Sequence, residues 1–151
     1  MGAFPASVVV SRNRAWVADY NDGTVTVLRP DGRREETIPV GRGPITMAAN
    51  EDGVWVALFW KNELVRIDPE RRAVVARIPV GRGVWGMAAA PGSVWVANRD
   101  SSSLSRIDTR TNRVVRTIRL AAPPYGVAYA GGRLWVTTQR CGSPNVRCPA
   151  A

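Results

Sequence analysis

The sequence contains no histidine and only two cysteines among its 151 residues. Without histidine the chain lacks the commonest general base and the commonest protein ligand for metals. Two cysteines alone cannot fill a tetrahedral zinc site. The serine run at 101–103 has no neighbouring base to activate it, so we predict no catalytic residue, no metal and no cofactor for this chain.

Long apolar segments are also absent, and the first ten residues hold a brief apolar run with no basic start. A transmembrane helix needs about 20 consecutive apolar residues, and a signal peptide needs a charged start before an apolar stretch. We therefore expect neither here, and no insertion into a membrane. Cys141 and Cys148 leave the compartment open, because a disulfide between them favours the periplasm or the cell exterior and two free thiols favour the cytoplasm.

What the sequence does contain is a repeat of about 40 residues. Its tryptophans Trp16, Trp55, Trp95 and Trp135 stand 39, 40 and 40 residues apart, each in a short apolar run. Gly, Pro, Asn, Asp and Ser separate four such runs in each copy, which predicts a strand meander. A period of this length is typical of a β-propeller with one four-stranded sheet, or blade, per repeat. We predict an all-β fold, a partial or open propeller of about 3.5 antiparallel blades.

The copies place the blades along the chain, with strands A to D in each blade. We expect blade 1 at about 7–40, blade 2 at about 45–80, blade 3 at about 86–120 and a half blade at 126–138. The propeller then covers 4–140, and 141–151 is a tail. Strand D is expected over roughly 34–39, 73–79 and 113–119, where Pro39 and Pro79 suit an outer edge.

The tryptophan runs are apolar at successive positions, so both faces of strand B should be covered and each tryptophan should pack between blades. The fourth copy has strands A and B only, which leaves Trp135 at an unfinished edge. A closed propeller has at least four blades. Three interpretations follow: a fragment of a longer propeller, which we favour, an assembly with further copies through the open blade edges, or a short open arc.

Three segments, at 92–99 (GSVWVANR), 104–109 (LSRIDT) and 114–118 (VVRTI), resemble the YVTN-type and virginiamycin-B-lyase-like propellers of bacteria, which are related to NHL-type propellers. The resemblance covers residues 4 to about 139. It implies the propeller architecture and supports the fragment interpretation and a binding or scaffolding role. It also implies a magnesium ion and a catalytic histidine for the lyases, and zinc-binding histidines for the related amidating lyases. No position of this chain matches those histidines.

The D–A and B–C loops emerge on one side of a propeller, and here they combine aromatic and arginine side chains, the usual components of a recognition surface. Phe59 and Trp60 are the most specific signal, although they would also suit packing over the neighbouring blade. We predict a non-enzymatic scaffold, part of a larger propeller or multidomain protein, that binds an unknown protein or small-molecule ligand. The predicted ligand-binding residues are Tyr20, Arg42, Phe59, Trp60, Arg82, Trp85, Arg99, Tyr125 and Arg140.

Two alternatives remain open. The chain is a segment of a virginiamycin-B-lyase-like enzyme whose catalytic blades lie elsewhere, or it is a nucleic-acid-binding propeller. The second follows from 20 arginines, one lysine and a net charge of +9. It is less favoured because the opposite face is basic but nearly lacks the aromatic residues that stack bases. The arginines of that face are Arg12, Arg14, Arg33, Arg71, Arg72, Arg110, Arg113 and Arg133.

Overall fold

The computed structural model describes residues 4–139, which form three four-stranded sheets and one two-stranded sheet, all antiparallel. Each sheet is a meander of consecutive strands, so the predicted all-β class and four-stranded antiparallel blades are confirmed. Blade 1 consists of β1 (Pro5–Ser11), β2 (Arg14–Asp19), β3 (Thr24–Leu28) and β4 (Arg34–Pro39). Blade 2 consists of β5 (Pro44–Asn50), β6 (Gly53–Leu58), β7 (Glu63–Asp68) and β8 (Ala73–Pro79). Blade 3 consists of β9 (Val84–Ala90), β10 (Ser93–Asn98), β11 (Ser103–Asp108) and β12 (Arg113–Arg119), and the half blade consists of β13 (Pro124–Ala130) and β14 (Arg133–Thr138).

The first strands of neighbouring blades, β1 with β5, β5 with β9 and β9 with β13, contact one another, so the blades radiate from their inner strands. Helical structure in the described part is limited to a 3-10 turn at Phe59–Lys61 between β6 and β7. No helix within residues 4–139 has the length and apolar character needed to cross a membrane. The cysteines of the tail lie outside the described residues.

Aspartates at the ends of β7 and β11 determine the turns that follow. Asp68 Oδ1 accepts hydrogen bonds from the backbone N–H groups of Glu70 at 2.8 Å and Arg71 at 3.0 Å. Asp108 Oδ1 accepts equivalent bonds from the two residues in the same positions of blade 3. Backbone N–H donors lower the pKa of both carboxyl groups, because they stabilise the ionised form. These Asx turns connect strand C to strand D.

The burial of the repeated tryptophans depends on which blade follows them. Trp16 and Trp55 are fully buried between blades 1 and 2 and between blades 2 and 3, respectively. Trp95 is partly buried, because the half blade beside it offers only two strands. Trp135 is 59% exposed, since the described part contains no further blade. The tryptophan is therefore an inter-blade residue, as the sequence predicts.

Arg66 joins blades 2 and 3. Its guanidinium lies 5.3 Å from the ring centroid of Trp55, and its Nη1 donates to the carbonyl of Thr109 and to Oδ1 of Asn112, both at 2.9 Å. The equivalent Arg106 stacks on Trp95 at 5.7 Å. Within the described part Arg106 makes no such hydrogen bond, because the half blade there has no C–D turn to receive it.

Glu35 joins blades 1 and 2, and its replacement by glutamine should reduce the acid sensitivity of the fold. The carboxylate of Glu35 accepts a hydrogen bond from Arg14 of its own blade and another from Arg72 of blade 2, the latter at 2.9 Å. The hydrogen bond from Arg14 lowers the pKa of Glu35, and desolvation opposes this effect. Because the folded-state pKa is depressed, the stabilisation is present above the ordinary pKa of 4.5 and is lost as the pH falls through the folded-state pKa.

The measurement is the urea midpoint at pH 7 and pH 3. Between those pH values the wild type should lose more stability than Glu35→Gln, and at pH 7 the variant should be the less stable of the two. Glu51→Gln is the matched control, since Glu51 is exposed and forms no ion pair within residues 4–139. If the urea midpoint fell equally for the wild type and Glu35→Gln, Glu35 would not be a source of the acid sensitivity.

Candidate functional site

The residue that follows each strand B is held against the start of a strand A on one face of the propeller. Its backbone N–H donates to the carbonyl of the residue that precedes strand A. The four bonds are Tyr20 to Phe4 at 2.8 Å, and Phe59 to Gly43, Arg99 to Gly83 and Gln139 to Pro123 at 2.9 Å each. The repeat therefore places four equivalent side chains on the face formed by the D–A and B–C loops.

On this face Trp60, Phe59, Trp85 and Tyr125 form a continuous row that we call the aromatic arc. Consecutive ring centroids lie 5.1, 6.2 and 5.8 Å apart, and each pair is arranged edge to face. The arc runs from blade 2 across blade 3 to the half blade. Trp60 is 62% exposed and Trp85 is 39% exposed. The arc therefore presents apolar surface to solvent.

Arg99 completes the arc. Its guanidinium lies 5.0 Å from the ring centroid of Tyr125 and 5.6 Å from that of Trp85. Within residues 4–139 it forms no ion pair with a carboxylate. Each cation–π contact contributes about 0.5–2 kcal/mol and leaves the N–H groups of the guanidinium edge available as donors. The arc can therefore bind an apolar or aromatic group and orient a hydrogen-bond acceptor beside it.

The backbone explains why two large aromatic residues are tolerated in the loop. The 3-10 turn at Phe59–Lys61 ends at Asn62, which has a φ of 50° and accepts a hydrogen bond from the backbone N–H of Gly83 at 2.9 Å. Gly43 has a φ of +72°, and a Cβ there would lie 2.5 Å from Cδ1 of Trp60. Trp60 thus packs over the connection from the neighbouring blade and still exposes most of its surface.

The structure brings five of the nine predicted site residues together and places three others, Tyr20, Arg42 and Arg82, outside this cluster. Trp85 and Tyr125, expected in loops, are the second residues of β9 and β13. Tyr20 instead packs edge to face on Phe4, with their ring centroids 5.9 Å apart. Arg42 is exposed, Arg82 borders a separate cavity, and Arg140 lies outside the described residues. That these residues bind a ligand stays a prediction.

Carboxylates neutralise much of the charge on the opposite, arginine-rich face. Five of its eight predicted arginines form ion pairs. The pairs are Arg12 with Glu70, Arg14 and Arg72 with Glu35, Arg33 with Asp31, and Arg71 with Asp68. Fewer free guanidinium groups are left there for phosphates than the sequence indicates.

Sequence reasoning missed the cavity that Arg82 borders. The cavity also contacts Ser103, Ser105, Thr117 and Arg119. In the sequence, Ser103 belongs to a serine run without a neighbouring base, and Ser105 lies in the segment at 104–109 that carries the resemblance. A signal was available, because the equivalent strand of blade 2 carries Glu63 and Val65 where β11 carries the serines.

The described part of the chain contains no group of three or more histidine, cysteine, aspartate or glutamate side chains placed to hold a metal ion. The carboxylates discussed so far occupy turns or ion pairs with arginines.

Comparison with solved structures identifies the fold. Hydrazine synthase of Kuenenia stuttgartiensis matches with a TM-score of 0.86 and 20% identity, over 95% of this chain and 44% of that chain. Virginiamycin B lyase from Staphylococcus aureus matches with a TM-score of 0.78 and 17% identity, over 89% and 48%. A catalytically inactive form of that lyase with quinupristin matches with a TM-score of 0.79 and 17% identity, over 96% and 54%.

No family model and no curated protein matches the sequence. The chain spans about half the length of the solved structures above. At these identities the likeness concerns the fold alone. The predicted resemblance to virginiamycin-B-lyase-like propellers is confirmed at that level, and the chain is a partial propeller.

Proposed function

We propose that this propeller segment is a non-enzymatic binding scaffold, part of a larger propeller or multidomain protein, and that it binds a protein or small-molecule ligand at the aromatic arc. The observation that carries the proposal is the exposed row Trp60, Phe59, Trp85 and Tyr125 with Arg99 stacked on two of its rings. Tryptophan, tyrosine and arginine dominate binding hot spots.

The exposure of the arc supports this role over a purely structural one. A structural aromatic side chain in this propeller is buried between blades, as Trp55 is. Trp60 and Trp85 instead keep substantial exposed area although they adjoin one another through Phe59. Clustered exposed apolar surface on a soluble protein marks an interaction site more often than scattered single residues do. The absence of histidine from the sequence supports the non-enzymatic part of the proposal.

Replacing Trp60 and Trp85 by alanine should weaken binding at the arc by about thirtyfold or more, because removal of a hot-spot tryptophan costs about 2 kcal/mol or more. The probe is a set of cyclic peptides selected from a random display library against this chain. Affinities are measured for the wild type and the double variant, and circular dichroism checks that the variant retains its fold. We expect the selected peptides to contain acidic or aromatic residues that complement Arg99 and the exposed rings.

Trp135→Ala is the matched control, since it removes an equally large and exposed side chain from the edge of the half blade. Peptides that bind the arc should be unaffected by it. The proposal is wrong if peptides selected against the wild type bind the double variant equally well. It is also wrong if the double variant loses its fold, because the two tryptophans would then belong to the core.

A further inference from the structure

A cavity of about 710 Å³ lies where the connection from β8 to β9 meets β11 and β12 of blade 3. It is separate from the aromatic arc, since no residue of the arc lines it. Its volume lies within the range of about 300–1,000 Å³ that small-molecule sites occupy. Three strand residues, Ser103, Ser105 and Thr117, give it a polar wall.

The repeat shows how this space arises. Strand register pairs Ser103 with Arg119 and Ser105 with Thr117 in blade 3. The same two positions of blade 2 pair Glu63 with Pro79 and Val65 with Arg77. In blade 2, Arg77 and Glu63 form an ion pair at 3.0 Å and Val65 is fully buried. Larger side chains therefore occupy in blade 2 the positions that small hydroxyl residues occupy in blade 3.

The last residue of strand B is also smaller and more polar in blade 3 than in blade 2. Cδ1 of Leu58 lies 3.1 Å from the position that a Cβ on Gly41 would take, and Asn98 takes the same place beside Gly81. Both residues are fully buried. Five equivalent positions thus differ between blades 2 and 3, and at each of them blade 3 carries a smaller or more polar residue.

Blade 1 carries polar residues at four of these positions, Asp19, Thr24, Thr26 and Thr37, and Oδ2 of Asp19 accepts hydrogen bonds from both threonine hydroxyls of β3. Blade 3 keeps this polar pattern, but the neutral Asn98 replaces the carboxylate and Arg119 replaces the proline, which makes the place suitable for an anion.

The wall of the cavity is rich in hydrogen-bond donors. Nδ2 of Asn98 donates to Oγ of Ser103 at 3.2 Å and to Oγ of Ser105 at 2.9 Å. Each hydroxyl keeps its own proton, and neither donates it to another residue within 4–139. The Oδ1 of Asn98 is buried and accepts no hydrogen bond from the described residues. Asn98 therefore fixes the serine oxygens, while their protons are left for a ligand.

The charge of the lining favours an anion. Arg82 and Arg119 border the cavity, and neither forms an ion pair with a carboxylate of the described residues. Asp100 is the only acidic residue in the lining, so two cations outweigh one anion. Guanidinium and hydroxyl donors together match the oxygens of a carboxylate or a phosphate, and such charge-assisted bonds are stronger than neutral ones.

We propose that this cavity binds a small organic oxyanion, a carboxylate or a phosphate ester, whose charged group is held by Ser103, Ser105 and the guanidinium groups of Arg82 and Arg119. Calorimetric titration of this chain with D-glucuronate, glucose phosphate and uncharged D-glucose tests it. At least one of the anions should bind about tenfold or more tightly than glucose, as expected for charge-assisted hydrogen bonds. The tighter anion identifies the carboxylate or the phosphate as the preferred group.

Two variants locate the binding. The first carries the residues of blade 2 in blade 3, Asn98→Leu, Ser103→Glu, Ser105→Val and Thr117→Arg, and it should abolish the binding because the space is then occupied as it is in blade 2. The second, Arg82→Gln with Arg119→Gln, changes two exposed side chains and should weaken binding about tenfold without affecting the fold. Its control is Arg113→Gln with Arg116→Gln, which removes the same charge from β12 outside the cavity lining.

Several results would overturn the proposal. Glucose that binds as tightly as both anions would remove the role of charge, and anions that do not bind at all would remove the site. If the Arg82/Arg119 and the Arg113/Arg116 double variants weakened anion binding equally, the effect would come from the net charge of the chain and not from the cavity. Anion binding that survives the variant with blade 2 residues, with the fold intact, would place the ligand elsewhere.

Discussion

Replacing Trp55 by alanine is expected to lower the free energy of unfolding by about 3–5 kcal/mol, whereas the same replacement of Trp135 should change it by about 0.5 kcal/mol or less. The two residues occupy equivalent positions of the repeat and carry the same side chain. They differ in burial, because Trp55 is fully buried between two blades and Trp135 is 59% exposed. The contrast isolates what the neighbouring blade contributes.

The large cost at Trp55 has two physical sources. Alanine removes most of the apolar contact with Val94 and Val96 of blade 3 and leaves a cavity in a core that cannot close over it. It also removes the partner of Arg66, whose guanidinium stacks on the Trp55 ring, and the Nε1 donor to Asn50 Oδ1 at 3.2 Å. The apolar contact with blade 3 and two contacts within blade 2 are therefore lost with one side chain.

Trp95→Ala supplies the intermediate case, since Trp95 is only partly buried beside the half blade. Urea unfolding followed by far-ultraviolet circular dichroism measures all three variants without relying on tryptophan fluorescence. The loss of stability should fall in the order Trp55, Trp95, Trp135. If Trp135→Ala destabilised the chain as much as Trp55→Ala, the exposure of Trp135 within residues 4–139 would be wrong.

The positions of the strands could be predicted from the sequence because each copy of the repeat reports on them independently. The expected D strands at 34–39, 73–79 and 113–119 agree with β4, β8 and β12. Proline at 39 and 79 and the turn aspartates at 68 and 108 repeat the same local signals. Three noisy copies of one pattern determine a strand better than any single copy does.

The aromatic arc was only partly predictable. The loop topology brought Phe59, Trp60, Trp85, Arg99 and Tyr125 to one face, but it could not decide which of these side chains touch. Tyr20 belongs to the same set of equivalent positions and still packs on Phe4, because the position of Trp85 is Ala6 in its own blade and Ile45 in the following blade, so neither offers a ring. Contact depends on the neighbour in three dimensions, which the repeat pattern does not contain.

The cavity could not be predicted from the sequence, for the opposite reason. Alignment of the copies emphasises what they share, whereas the cavity arises where they differ. Ser105 and Thr117 attract no attention in blade 3 until the register sets them against Val65 and Arg77 of blade 2. Blade 1 carries Thr26 and Thr37 at these two positions, so the difference becomes visible only when blade 3 is set against blade 2.

Gly86→Ala is expected to displace the half blade from blade 3 at a cost of about 1–3 kcal/mol or more. A Cβ on Gly86 would lie 2.1 Å from the carbonyl oxygen of Tyr125 and 3.2 Å from the backbone N of Val127. Both obstacles are main-chain atoms, so no side chain can rotate away. β13 must move, and the contacts that Tyr125 makes with Trp85 and Arg99 are lost with it.

Glycine is required here by the approach of β13 and not by the position in the blade. The equivalent residues of blades 1 and 2 are Ser7 and Thr46, and Oγ of Ser7 accepts a hydrogen bond from the backbone N–H of Met47 at 3.1 Å. A side chain thus fits between blades 1 and 2, where the inner strands leave room for it. Between blade 3 and the half blade that room is taken by the carbonyl of Tyr125.

Amide hydrogen exchange measures the displacement strand by strand. In Gly86→Ala the amides of β13 and β14 should exchange faster, while those of β2, β3, β6 and β7 keep their protection, because each blade contacts only its neighbours. Gly126→Ala is the matched control, since its Cβ would meet only the side chain of Thr137, at 2.9 Å, which can rotate. Protection lost equally from all blades would mean that the half blade is integral to the whole fold. Unchanged protection in β13 and β14 would mean that β13 lies farther from Gly86 than the structure indicates.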